Sequence, residues 1–263
     1  MKILWIGGSH PRHLYFANAL NQVYPLAGAI IEFREEMIPQ PPDNIQEMDK
    51  KNFILHFTNR EKSEKKYFGS QSIPECPILK VSKANLNAEE SANFVKQIDP
   101  DIVMIFGCHL IKAPLFSALP YNSINMHLGI SPRYRGSATL FWPFYFMEPN
   151  HAGSTFHYII SEPDAGDIIH QVVPQLDIND KIHDVACKTI IQSTMESIDL
   201  IKTYISKGAW QRYKQKGTGK NFLDSDFKPE HLRVIYNVYN DDMVQQYLKG
   251  NLKLQKPNLI RQF

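Results

Sequence analysis

The chain has 263 residues, 43% of them hydrophobic and 21% charged, which is enough to bury a sizeable core. Its 29 Lys and Arg against 27 Asp and Glu leave a net charge of +2, so no global field favours nucleic acid and any anionic substrate must be gripped locally. Cys76, Cys108 and Cys187 are dispersed and fit neither a zinc spacing nor a disulfide framework, and no window offers the roughly 18 apolar residues of a membrane span, so a soluble protein of a reducing cytoplasm is the expectation.

The start, "MKILWIGG", is too short an apolar run for a signal peptide and reads as a first buried strand. The segment "SHPRHLYFANALNQV" then reads as a helix and "LAGAIIEF" as a second strand, the opening of a βαβ unit. From Glu47 to Lys66 the chain becomes charged before a Gly69, Pro74 and Pro77 cluster; an inserted helix near 47–77 with a mostly solvated face is expected. On that helix Arg60 and Glu64, four residues apart, read as a surface ion pair. The segments "CPILKV", "DIVMIFG" and "SINMH" supply further strands, with a helix around "NAEESANFVKQID" between the first two. Alternation of strand and helix predicts an α/β fold with a doubly wound, mostly parallel sheet.

Farther on, "GSTFHYII" and "DIIHQVVPQ", joined by "SEPDAG", predict a hairpin-like pair on the sheet. Apolar residues at 182, 186, 190, 198, 201 and 205 predict one long amphipathic helix over 181–206, packed across the sheet. Residues 1–206 are then the catalytic domain, and 207–263 a short C-terminal extension ending in a helix. In the aromatic run Phe141, Trp142, Phe144, Tyr145 and Phe146, most rings are expected in the core.

Alternation places Asn125 and His127 on one side of a strand, two residues apart and at its carboxyl end, where open α/β sheets keep their crevices. An isolated histidine there is more often a satisfied core residue. Asp164, in the turn "EPDAGD", supplies a third polar group. Together an Asn, a His and an Asp can polarise a carbonyl, move a proton and orient an imidazole, a combination suited to acyl transfer to an amine without a covalent enzyme intermediate.

The stretch "INMHLGISPRYRG" followed by "EPDAGDII" resembles the Asn-x-His and Asp-x-Gly-Asp pattern of the formyltransferases that use N10-formyltetrahydrofolate, a likeness extended by "DIVMIFGCHLI" upstream. The resemblance implies a Rossmann-like formyltransferase fold and makes Asn125, His127 and Asp164 the catalytic residues. It places the folate along Phe106, Gly107, Cys108, His109 and Leu110, held largely by main-chain groups, with Glu162 and Pro163 across the crevice. No metal is implied, and His10 and His13 lack a third ligand. Gly8, Ser9, His10 and Arg12 after the first strand, and Arg133, Tyr134 and Arg135 beyond the catalytic strand, are the candidates for binding the acceptor.

Within that family the acceptor is an initiator methionyl-tRNA, glycinamide ribonucleotide or a nucleotide-linked amino sugar. The 57 residues after Ser206 leave little room for a tRNA-binding barrel, and the near-neutral charge agrees. Glycinamide ribonucleotide enzymes would not need the charged insertion, and the family's hydrolases carry an amino-terminal regulatory domain ahead of the first strand. A nucleotide-linked amino sugar used in surface polysaccharide or lipopolysaccharide synthesis is therefore the expected acceptor, with no nucleic-acid or membrane partner and with a homodimer compatible. A non-catalytic folate or nucleotide binder would have no need of Asn125, His127 and Asp164 together.

Overall fold

The structure, a computed structural model, describes residues 1–33, 38–216 and 219–263. The strands are β1 (Ile3–Gly8), β2 (Leu26–Glu32), β3 (Ile78–Val81), β4 (Ile102–Phe106), β5 (Ser123–His127), β6 (Tyr134–Gly136), β7 (Ser154–Tyr158), β8 (Ile168–Val172) and β9 (Lys220–Phe222). The α-helices are α1 (Pro11–Val23), α2 (Glu47–Phe68), α3 (Glu89–Ile98), α4 (Leu115–Ala118), α5 (Trp142–Tyr145), α6 (Ile182–Lys207) and α7 (Met243–Leu248). Among the described residues, seven strands form one sheet in the order β3-β2-β1-β4-β5-β7-β8, while β6 and β9 pair separately. The first five of the seven run parallel, and β7 reverses against β5 and β8 against β7, as the hairpin signal predicts.

The doubly wound architecture follows from alternation in strands covered on both faces. Ile3 and Trp5 of β1 enter the cluster under α1 and α6, whereas Leu4 and Ile6 enter the one that holds Val95 of α3 and Leu115 of α4. Full burial of such side chains contributes about 1.5–3 kcal/mol each. Helix α6 begins at a box in which the Asp184 carboxylate accepts the Lys181 N–H at 3.1 Å, and it stops at Gly208, whose φ of +75° suits glycine. No helix among the described residues is long and apolar enough to cross a membrane.

Helix α2 is solvated over most of its length, as expected, and it also has an inward side: Asp49, Asn52, Phe53, His56, Glu64 and Phe68 are buried. Its inward side is polar because its partners are polar. Arg233 donates to both Asp49 oxygens at 2.7 Å, Asn52 bonds Asn237 at 2.7 Å, and His56 meets the Tyr236 hydroxyl at 3.0 Å. The Arg60 and Glu64 pair is not the surface pair expected, since Glu64 turns inward to Arg12 at 2.5 Å.

The C-terminal extension is not an appendage ending in a helix. Phe222, Leu232, Ile235, Met243 and Val244 share one hydrophobic cluster with Phe53, Phe141, Trp142, Phe144 and Val185. After α7 the chain runs without regular structure to Phe263. There the Gln171 N–H of β8 donates to Ile260 O at 2.7 Å and the Gln262 N–H to His170 Nδ1 at 3.0 Å, which satisfies groups on an edge strand.

Candidate active site

One cleft of about 630 Å³ opens at the carboxyl ends of β4 and β5, beside the point between β1 and β4 where the strand order reverses. Apolar side chains of Phe106, Leu110, Ile111 and Phe116 wall one part of it. Asn125, His127 and Asp164 converge in another, and Glu162 and Pro163 lie along its rim. Every residue expected at the catalytic centre or the folate loop therefore lines the same cleft.

His127 is 7% exposed and sits between two acceptors. Its Nε2 is 3.0 Å from the Tyr134 carbonyl and its Nδ1 is 3.4 Å from Asp164 Oδ2. Burial lowers its pKa below the ordinary histidine value, opposed by the Asp164 charge. A neutral ring can donate to only one of these acceptors, so the second is already in place for an added proton. Asp164 lies in the loop between β7 and β8, at φ +51°, a left-handed conformation that Asp and Asn tolerate better than most residues. Its burial alone would raise its pKa, but His127, His157 and the Gly136 N–H, at 3.0 Å, outweigh that and hold the carboxyl well below its usual range.

His157 is the group that sequence reasoning missed. Antiparallel register sets it opposite Asn125, and its Nε2 lies 3.3 Å from Asn125 Nδ2 and 3.4 Å from Asp164 Oδ1. Its Nδ1 is 2.9 Å from the Tyr158 carbonyl, and its Nε2 faces the Asn125 amide and the Asp164 carboxylate together. The available signal was the pair Thr155 and His157, polar at alternate positions on either side of Phe156.

The loop after β4 is fixed by side chains from its neighbours. Buried Glu32 accepts the His109 N–H at 2.8 Å and meets His109 Nδ1 at 2.5 Å, while Asn87 donates to Leu110 O at 3.0 Å. The His109 N–H and the Leu110 carbonyl are thus already engaged, and they fix the loop against the cleft that 106–110 line. A flat bicyclic pterin fits this arrangement of apolar walls and main-chain donors and acceptors beside the polar centre. None of the three cysteines forms a disulfide. With main-chain recognition, Cys108→Ala should keep most of the turnover and folate affinity of the parent. Loss of activity in that variant at unchanged folate affinity, measured by steady-state kinetics and folate titration, would instead indicate a thiol nucleophile.

The acceptor candidates divide. Arg12 lines the cleft, as does its neighbour His13. Gly8 closes β1, and Ser9 and His10 precede α1, none of them part of the cleft wall. Arg133 is exposed, lies outside the cleft wall and turns to Glu148 at 2.5 Å. Tyr134 is buried with its hydroxyl 2.8 Å from the same Glu148, and it serves the site through its carbonyl on His127. Arg135 lies outside the cleft wall, 4.0 Å from Glu162. The physical reason is the short β6, whose pairing with β9 fixes which way this loop faces.

The sequence pattern of the formyl transferase family matches residues 44–195, a span that contains α2, Asn125, His127, His157 and Asp164. A methionyl-tRNA formyltransferase from Citrifermentans bemidjiense is 38% identical over 68 residues, 25% of this chain and 20% of that protein, so the chain spans about a fifth of the curated relative it matches. The N-formyltransferase of Helicobacter canadensis, solved with folinic acid and dTDP-3-aminofucose, is similar with a TM-score of 0.56 at 16% identity, over 95% of this chain and 82% of that one. Phosphoribosylglycinamide formyltransferase of Anaplasma phagocytophilum gives 0.56 at 15% identity, over 85% and 97%. At such identities the likeness is one of fold.

Proposed function

Because this chain belongs to the formyl transferase family, we propose that it transfers the formyl group of N10-formyltetrahydrofolate to the amino group of a nucleotide-linked amino sugar. The observation that carries this reading is the convergence of Asn125, His127 and Asp164 on one cleft that the loop 106–110 also lines. When bound, the folate supplies an activated one-carbon acyl group. The chain's own residues do the rest. The Asn125 amide, oriented by His157, donates to the formyl oxygen as negative charge develops there. His127 takes up the proton released by the attacking amine, the imidazolium donating meanwhile to Asp164 and to the Tyr134 carbonyl, and it returns that proton to the leaving nitrogen as the bond between that nitrogen and the formyl carbon breaks. Asp164, ionised throughout, favours that imidazolium and fixes the ring. A place in the cytoplasm and a product destined for lipopolysaccharide or another surface polysaccharide are part of the same reading.

The test uses purified protein, N10-formyltetrahydrofolate and a panel of uridine, thymidine and guanosine diphosphate amino sugars. Product formamides are followed by mass spectrometry beside matched free amino sugars and an aminoacyl-tRNA. Formylation of at least one nucleotide-linked sugar is expected, with a sharp fall for the free sugar, because remote binding energy positions the amine. Equal efficiency on free and linked sugars, or activity on aminoacyl-tRNA alone, would remove the acceptor assignment and leave formyl transfer standing.

A further inference from the structure

The chain beyond α6 runs past both loops that carry catalytic groups, in residues 212–216 and again in 219–222. Main-chain groups of Tyr213 and Ile168 exchange two hydrogen bonds, at 2.8 and 2.9 Å, which seats the first stretch at the start of β8. Arg212, just before it, holds Asp167 with Nε at 3.1 Å and Nη2 at 2.8 Å. The second stretch pairs as β9 with β6, whose Tyr134 carbonyl and Gly136 N–H reach His127 and Asp164. Gly219 passes so close to the loop ahead of β6 that a Cβ there would lie 1.1 Å from Pro132 O.

Gln215 stands in the chain between these two anchors. Its Nε2 lies 2.7 Å from the Asp164 carbonyl and 2.8 Å from the Gly166 carbonyl. Both partners are acceptors, so the atom that faces them is the amide nitrogen, and it donates both of its hydrogens there. One side chain thus holds the main chain of the catalytic aspartate, while the Gly136 N–H holds its carboxylate at 3.0 Å. The loop needs such a hold. Residues Ile160 to Pro163 are exposed, and Asp164 follows them at φ +51°, a conformation that costs backbone energy even for Asp and is kept by contacts around it.

The place of that carboxylate sets the state of His127. Burial lowers the pKa of the imidazole and the Asp164 charge opposes this, while His157 on β7 and Arg135 on β6 add to the lowering and the Tyr134 carbonyl favours the protonated ring. Asp164 is the acid in this set, with Oδ2 at 3.4 Å from His127 Nδ1, and its attraction weakens with distance. A displacement of the Asp164 loop by about an ångström therefore disfavours the imidazolium on which proton transfer depends.

We propose that Gln215 is a positioning residue for the catalytic pair: by donating to the Asp164 and Gly166 carbonyls it keeps the Asp164 carboxylate against His127 and His157. The proposal rests on the reading of Asp164 and His127 as the groups that handle the proton in formyl transfer. It gives the C-terminal extension a part in the chemistry through a side chain that is not part of the cleft wall.

Gln215→Met keeps the length of the side chain and removes both donors, and Gln215→Leu serves in its place if the first variant fails to fold. Turnover should fall roughly tenfold or more in the whole, folded protein. Two readouts separate positioning from a general loss of structure. The His127 titration midpoint, followed by nitrogen-15 NMR of the imidazole, should move to lower pH by about half a pH unit or more, because the Asp164 charge that raises it has drawn away. In an Asp164→Asn background the same change at Gln215 should lower turnover by less than about twofold further, because the carboxylate it would place is gone. Parental turnover, an unmoved His127 midpoint, or an undiminished effect in the Asp164→Asn background would overturn the proposal. A shifted midpoint with no formyl transfer by the parent sinks the formyl-transfer reading alone, whereas equal formyl transfer by parent and Gln215→Met sinks the positioning role alone.

Discussion

His127→Asn and Asp164→Asn should each lower turnover by at least about a hundredfold, the scale of losing an acid–base or oxyanion group, in protein that remains folded. The two replacements remove different things. Asparagine at 127 cannot accept a proton and leaves the Tyr134 carbonyl, now 3.0 Å from His127 Nε2, without its donor, at a stability cost on the order of 1–3 kcal/mol. Asparagine at 164 keeps the left-handed backbone and an oxygen for the Gly136 N–H, and removes only the charge. Asp164→Asn is therefore the cleaner variant. Steady-state kinetics with a thermal-unfolding control decide the matter: near-parental turnover in either folded variant would remove that residue from the chemistry.

Gly107→Val should abolish measurable folate binding and destabilise the protein by roughly 2 kcal/mol or more. Gly107 has φ +78°, and a Cβ there would lie 2.2 Å from His13 Nε2. His13 has no room to retreat, being 2% exposed, edge-on to Phe106 with centroids 4.8 Å apart and stacked on His10. The loop must then lift from β4, carrying with it the main-chain groups assigned to the pterin. Native folate affinity in a folded Gly107→Val protein would show that the ligand is held elsewhere.

The parallel strands β1 and β4 were legible because a strand covered on both faces is a continuous apolar run. Asn125 and His127 were legible for the converse reason, as polar residues at alternate positions of β5. His157 was not, since its partnership with Asn125 exists only once antiparallel register is fixed. The buried side of α2 was hidden because a helix that buries Asp49, Asn52 and Glu64 carries no apolar stripe for a periodicity argument to find. Tyr134 acts on His127 through a carbonyl that every residue possesses, so its role was invisible in side-chain chemistry.

The polar seam between α2 and residues 233–237 bears on how such a chain can drift over generations. Apolar walls tolerate exchange of one aliphatic residue for another, because volume is most of what they require. Asp49 and Arg233 have less latitude: change in Arg233 takes both of these donors from the Asp49 carboxylate, and change in Asp49 leaves Arg233 with Gln46. Asn52 and Asn237 are bound in the same way. Residues some 185 positions apart in the chain are thereby inherited as matched pairs, and descendants that alter one should be found to have altered the other.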